Sequence, residues 1–226
     1  MGKYVTLSYN LSKSTPLYPG TPPLRIKRAK AISEGDTCNT FVLELSNHSG
    51  THVDAPAHFT DSGKKISEYA MDELVFRKPV IVDCPKGPEG IIEIDDLSDL
   101  THSGTPDSLL IRTGFHEYRE RDVDIYRYKN PCLSPRAARW IRSDFPGIKA
   151  VGIDCVSIAS FAHRQLGKET HEALLKEGGF KSAPVIIIED LYIPREISVL
   201  DELIVLPIFM EDIDSAPCTV IGVRHD

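Results

Sequence analysis

The chain has no cysteine pairing, no basic tract and no long apolar run, and each absence removes a class of protein. Its five cysteines, Cys38, Cys84, Cys132, Cys155 and Cys218, are scattered, odd in number and never fall into a CxxC pair. That pattern suits reduced thiols in a cytosol. Acidic residues outnumber basic ones by 33 to 26, giving a formal net charge of -7, and no run of Lys or Arg is long enough to track phosphates. Nucleic acid is therefore not an expected partner. No stretch approaches the ~18 apolar residues of a membrane span, and the opening Met-Gly-Lys-Tyr-Val-Thr-Leu-Ser has no signal-peptide core. A soluble, cytoplasmic protein without a membrane partner is expected. Met1-Gly2 with Thr6 fits the N-myristoylation pattern, but the alternation of Tyr4, Val5, Thr6 and Leu7 reads more simply as a first strand.

What is present is a chain of 226 residues, 41% hydrophobic, a length that one large domain occupies. It can bury a core without disulfides. No repeat or low-complexity linker divides it, so residues 1–226 are expected to form a single domain. Ser14-Thr-Pro-Leu-Tyr18-Pro-Gly20-Thr-Pro-Pro23 is dense in proline and predicts an ordered loop able to hold an aromatic side chain over a pocket. Residues 40–46 alternate as a strand that leads directly into a His/Asp segment. Residues 80–83, 108–112, 150–154 and 184–188 are short apolar runs that read as buried strands. Ser134 predicts a helix cap, with Pro135 in the first turn and the helix running to Arg142. Thr170 predicts a second cap, with a helix through Lys176 and a stop at Gly178-Gly179. Strands ending in Asp or Glu place carboxylates at the edge where open α/β sheets bind ligands.

Chemistry concentrates in His48-Ser-Gly-Thr-His52-Val-Asp54-Ala-Pro-Ala-His58. His48, His52, Asp54 and His58 all sit at even positions, so an extended backbone turns them to one face, while Gly50 and Pro56 disfavour a helix. Imidazole with carboxylate suits zinc, manganese or iron, and three protein ligands leave a position for water or substrate. The segment lacks the Glu of the HExxH helix, so a different hydrolase architecture is required. His171 and Glu189 are further candidates by position; a carboxylate after four apolar residues needs a partner, equally a metal cation or a Lys or Arg. His102, His116, His163 and His225 stand alone and are assigned no chemistry.

The run Asn47-His-Ser-Gly-Thr-His-Val-Asp-Ala-Pro-Ala-His-Phe59 resembles the signature of the cyclase-like metal-dependent hydrolases, which include bacterial kynurenine formamidase and isatin hydrolase. Thr15-Pro-Leu-Tyr-Pro-Gly20, Leu109-Leu-Ile-Arg-Thr-Gly114, Val151-Gly-Ile-Asp-Cys-Val-Ser157, His171-Glu-Ala-Leu-Leu175 and Ile188-Glu-Asp-Leu191 follow in the family's order. The resemblance implies an α/β fold, a single layered β/β/α domain of the swivelling type with a mixed sheet, assembled as a homodimer or homotetramer. It implies that His48, His52 and Asp54 hold one zinc, and that Asp54 bridges to a second held with His171 and Glu189. Glu189 would also reach the first. Mn2+ is the alternative metal. Between His171 and Glu189 this chain is longer than the formamidases, and it carries Tyr18 and Thr21 where they have Trp and Asp.

The expected activity is hydrolysis of an aryl formamide such as N-formylkynurenine, with a metal-activated water as nucleophile. His58 is expected to shuttle the proton, or else to be a further ligand, and Tyr18 to pack against an aromatic substrate or brace its own loop. Two rivals stand beside this reading: a cyclic amide or lactone hydrolase of the isatin hydrolase type, and a metal-binding or small-molecule-binding module without turnover.

Overall fold

The computed structural model describes residues 3–225, so the Met1-Gly2 acylation pattern lies outside the described residues. Strands follow in the order β1 (Lys3–Thr6), β2 (Arg25–Lys30), β3 (Thr40–Glu44), β4 (His52–Asp54), β5 (Val75–Phe76), β6 (Pro79–Asp83), β7 (Ile91–Ile92), β8 (Ser108–Arg112), β9 (Cys132–Leu133), β10 (Ala150–Ile153), β11 (Ile186–Glu189), β12 (Glu202–Pro207) and β13 (Ser215–Arg224). The α-helices are α1 (Tyr118–Arg121), α2 (Val123–Tyr128), α3 (Pro135–Asp144) and α4 (Arg164–Leu175).

Nine strands build one mixed sheet in the order β5-β12-β13-β4-β11-β10-β8-β6, with β1 added on β13. β6, β8, β10 and β11 run parallel, whereas β4 is antiparallel to both β11 and β13. β5 and β6 end opposite edges of this order, yet only Arg77 and Lys78 separate them in the chain. The sheet must therefore curl until its edges meet. Asp107 pins that corner by accepting the backbone N–H groups of Arg77 at 2.7 Å and Lys78 at 3.0 Å.

Curling leaves both faces of β8, β10 and β11 dry, which is why these segments are continuous apolar runs rather than alternating ones. Leu109, Ile111, Val151, Ile153 and Ile187 pack towards the helices, while Leu110, Ala150, Ile186 and Ile188 fill the inside of the curl. α3 forms as its sequence predicts, with the Ser134 hydroxyl accepting from Ala137 N at 3.1 Å and Pro135 in the first turn. Arg142, fully buried on α3, donates to the carbonyls of Ala173, Lys176 and Ser182, closing the end of α4 and the loop beyond it.

Two expectations are corrected. Thr170 does not cap a helix: α4 begins at Arg164, and the Thr170 hydroxyl, inside it, donates to Leu133 O at 2.7 Å. His171 accordingly sits deep in the helix rather than in its first turn. Residues 40–44 do form a strand, but it pairs only with β2, as an exposed ribbon outside the main sheet.

Gly167 explains how α4 lies so close to the strands. A Cβ there would stand 2.4 Å from the Cβ of Ala159, nearer than two carbons can approach. Gly167→Ala should therefore cost about 1–3 kcal/mol of stability in urea unfolding through overpacking; an unchanged midpoint would show that α4 has room to shift.

Candidate metal centre

β4 and β11 lie side by side, with Glu189 directly opposite His52 and Ile187 opposite Asp54. Val53 and Ile188 point inside the curl, so strand alternation turns His52, Asp54 and Glu189 to the helix side. α4 crosses that face and brings His171 onto it. The extended backbone expected from His48 to His58 holds only for His52–Asp54. His48 precedes a tight turn at Gly50, φ 63°, and His58 ends a 3-10 turn, Pro56–His58. All seven predicted residues, Tyr18, His48, His52, Asp54, His58, His171 and Glu189, nevertheless line one cavity of about 320 Å³. A larger hollow of about 420 Å³, beside Lys64, Tyr69 and Lys149, contains none of them.

The floor of the cavity is a set of inward-facing lone pairs. His52 Nδ1–H donates to Gly50 O at 2.8 Å and His171 Nδ1–H to Gly167 O at 2.9 Å, which leaves Nε2 of each ring facing the carboxylates. His52 Nε2 lies 3.3 Å from Glu189 Oε2 and 3.5 Å from Asp54 Oδ1. His171 Nε2 lies 3.5 Å from Glu189 Oε1 and 3.9 Å from Asp54 Oδ2. Ser157 Oγ and Ile158 N each donate to Glu189 Oε1 at 2.8 Å, and no Lys or Arg reaches this carboxylate among the described residues.

His52 Nε2 and Asp54 Oδ1 are buried and neither makes a well-directed hydrogen bond, the 3.0 Å approach of His48 Nδ1 to Asp54 Oδ1 included. Leaving such a group unpaired costs about 1–3 kcal/mol. A divalent cation fits what is missing: two donors about 2.1 Å from one tetrahedral ion stand about 3.4 Å apart, close to the separations found. His52, Asp54 and Glu189 form one such group, and His48, Asp54 and His58 a second that shares Asp54.

A second tier holds the imidazoles. His48 places Nδ1 at 3.0 Å from Asp54 Oδ1 and Nε2 at 2.9 Å from Ser215 Oγ. Asp214 Oδ2 accepts from His58 Nδ1 at 2.6 Å and lies 3.5 Å from His48 Nε2. Asn47 Nδ2 donates to Asp214 Oδ1 at 2.8 Å and to Ser215 Oγ at 2.7 Å. Neither Asp214 nor Ser215 stands out in the sequence. They follow the motif by some 160 residues with no spacing signal, and only the pairing of β13 with β4 delivers them.

Tyr18 stands at the mouth, edge-on to Phe161 with ring centroids 6.1 Å apart, and Phe59 stacks on the His171 ring at 5.0 Å. The four histidines assigned no chemistry lie outside the cavity lining. His116 binds Asp154, and His163 donates to Glu89 O.

The sequence model of the cyclase family matches residues 5–160. The chain belongs to the cyclase family. Within it, the kynurenine formamidase of Bacillus thuringiensis subsp. konkukian is 25% identical, across 97% of this chain and 96% of its own. Isatin hydrolase A from Labrenzia aggregata shares the fold with a TM-score of 0.82 at 18% identity, covering 100% of this chain and 94% of that one. A predicted metal-dependent hydrolase from Bacillus stearothermophilus superposes with a TM-score of 0.76 at 23% identity, both chains covered completely. The mixed sheet with helices on one side is thus the architecture of other cyclase-family members.

Charge in this cyclase-family site is tightly coupled. Burial opposes ionisation throughout, but the facing groups outweigh it. Asp54 raises His52, Glu189 raises His171, and Asp214 with Asp54 pushes His48 up to about 10. Reciprocally, the imidazoles hold Asp54 and Glu189 below the usual carboxylate range. Below the raised values the rings carry protons that a cation must displace. Zinc binding near neutral pH should therefore release protons, with affinity falling as pH falls. Calorimetry in buffers of different ionisation enthalpy measures this; a binding heat independent of buffer would contradict it.

Proposed function

We propose that this protein hydrolyses the C–N bond of an aryl formamide, using Zn2+ held by His48, His52, Asp54, His171 and Glu189. The observation that carries the reading is the pair of buried atoms without a well-directed hydrogen bond, His52 Nε2 and Asp54 Oδ1, at the floor of a cavity with an aromatic mouth. Asp54 faces His48 and His52 with one oxygen and His171 with the other, so these residues would have room to hold a second ion. Mn2+ is the alternative metal. When bound, a divalent ion acidifies a coordinated water and polarises the carbonyl.

The chain's own residues supply the rest. Tyr18 and Phe59 hold an aryl ring against the mouth and keep water from it, with Phe161 bracing Tyr18 from behind. Asp214 fixes the His58 ring with Nδ1–H bonded, so Nε2 is free to take a proton from the attacking water and return it to the leaving amine. Water thereby adds OH to the carbonyl carbon and H to nitrogen, releasing formate and an arylamine. Opening of a cyclic amide or lactone by the same groups is the second reading, supported by the fold shared with isatin hydrolase. A site without turnover is less well supported, because a structural zinc is closed by its ligands whereas a cavity leads to these.

The protein is further proposed to act as one domain, since the sheet draws strands from both ends of the chain. The exposed β2–β3 ribbon, with Phe41, Val42 and Leu43 in solvent, supports a homodimer or homotetramer. Five free cysteines favour a reducing cytoplasm, and no helix among the described residues is long and apolar enough to cross a membrane.

Elemental analysis joined to a panel of N-formyl anilines, isatin and lactones tests the activity; metal-loaded protein inert to all of them would refute it. His58→Ala should retain metal and lose about 10²–10⁴ in kcat. Asp214→Asn should lower kcat more than it raises KM. Metal lost together with activity in His58→Ala would make His58 a ligand instead of the proton carrier.

A further inference from the structure

The wall facing the ligand strands is one side of α4. Arg164, Lys168 and His171 are spaced four and three residues apart, share that side, and all line the cavity. His171 is buried at the floor, whereas Arg164 and Lys168 are exposed at the rim. Neither cation forms an ion pair within 4.0 Å among the described residues. Glu172, one turn beyond Lys168, is engaged by Lys176 at 2.9 Å.

Exposed helical cations are commonly just a solvated face, but both of these line the cavity, and Arg164 is held in place. The Arg164 guanidinium lies 3.8 Å over the Phe161 ring, which itself meets Tyr18. Stacking of this kind holds a charge in position. At 1.5 Å per residue, Lys168 stands about 4.5 Å and Arg164 about 10.5 Å along the helix from His171. An aryl ring spans that interval.

We propose that Arg164 and Lys168 form an anion-recognising rim, so that the preferred substrate is an aryl amide bearing a carboxylate on the far side of its ring from the scissile bond. This rests on the amide hydrolase reading above and adds a charge requirement that none of the metal ligands imposes. In a chain of net charge -7, an unpaired cationic rim also draws anions towards this cavity against the overall repulsion.

The test separates binding from turnover. 4-Aminobenzoate and aniline, the amines released from 4-formamidobenzoate and formanilide, are titrated into zinc-loaded wild-type protein and into the Arg164→Gln/Lys168→Gln double variant, whose folding is checked by thermal unfolding. The wild type should bind 4-aminobenzoate at least about tenfold more tightly than aniline. That preference should drop about tenfold in the double variant, roughly threefold for each charge removed, and shrink as salt is raised. No preference in the wild type, or one that survives the double substitution, overturns the proposal. Turnover of the two formamides is measured in parallel. Hydrolysis of both with equal kcat/KM overturns the anionic rim and leaves the hydrolase reading standing. Charge-selective binding without turnover sinks the hydrolase reading and leaves the rim in place.

Discussion

Two carboxylates, Asp54 and Glu189, are buried side by side among imidazoles with no Lys or Arg among the described residues to neutralise them. Each raises the other's cost of ionisation, and an uncompensated buried charge is among the most destabilising features a fold can carry. The surrounding structure is intelligible as the means of tolerating this pair. Ser157 and Ile158 donate to Glu189, three histidines face the oxygens, and backbone carbonyls hold two of those rings in the tautomer that turns a lone pair inward. A divalent ion completes the balance that these donors leave unfinished.

The same demand reaches into the backbone. Asp190, directly after Glu189, adopts φ 53°, a left-handed conformation that a non-glycine residue takes only under constraint. Arg119 binds its carboxylate at 2.9 and 3.0 Å, Tyr126 donates to it, and Thr51 Oγ1 donates to its carbonyl at 2.6 Å. Since Thr51 adjoins His52, this contact ties the end of β11 to the start of β4. The turn thus locks Glu189 and His52 in register, so His52, Asp54 and Glu189 inherit their spacing from the sheet and not from loops.

How much of this was legible in the sequence differs residue by residue. The apolar runs of β8, β10 and β11 announce themselves because a strand buried on both faces has no polar alternation to hide it. The Ser134-Pro135 cap works through contacts within one turn, and it too is plain. Thr170 misled because its hydroxyl answers a carbonyl of β9, thirty-seven residues away, while Gly167 is required where α4 meets Ala159. The central motif is readable because its residues are local, although its geometry is a turn, a short strand and a second turn instead of one extended strip. Asp214 and Ser215 were invisible, being joined to the motif only through the register of β13 on β4.

That register also orders the site's electrostatics from floor to rim. Acidic groups sit deepest, histidines surround them, aromatic rings form the neck, and Arg164 and Lys168 stand at the mouth. A cation held at the floor, with Arg164 and Lys168 at the rim, would leave the neck between two positive ends, where a neutral ring would be accommodated most easily and an electron-rich carbonyl or carboxylate drawn to either end. Orientation of a substrate then needs no dedicated clamp on the ring itself. The field along the cavity axis sets which end goes in, and the ring's thickness between Tyr18 and Phe59 sets how far. Selectivity of this kind resides in α4 and the proline-rich loop, outside the ligand set.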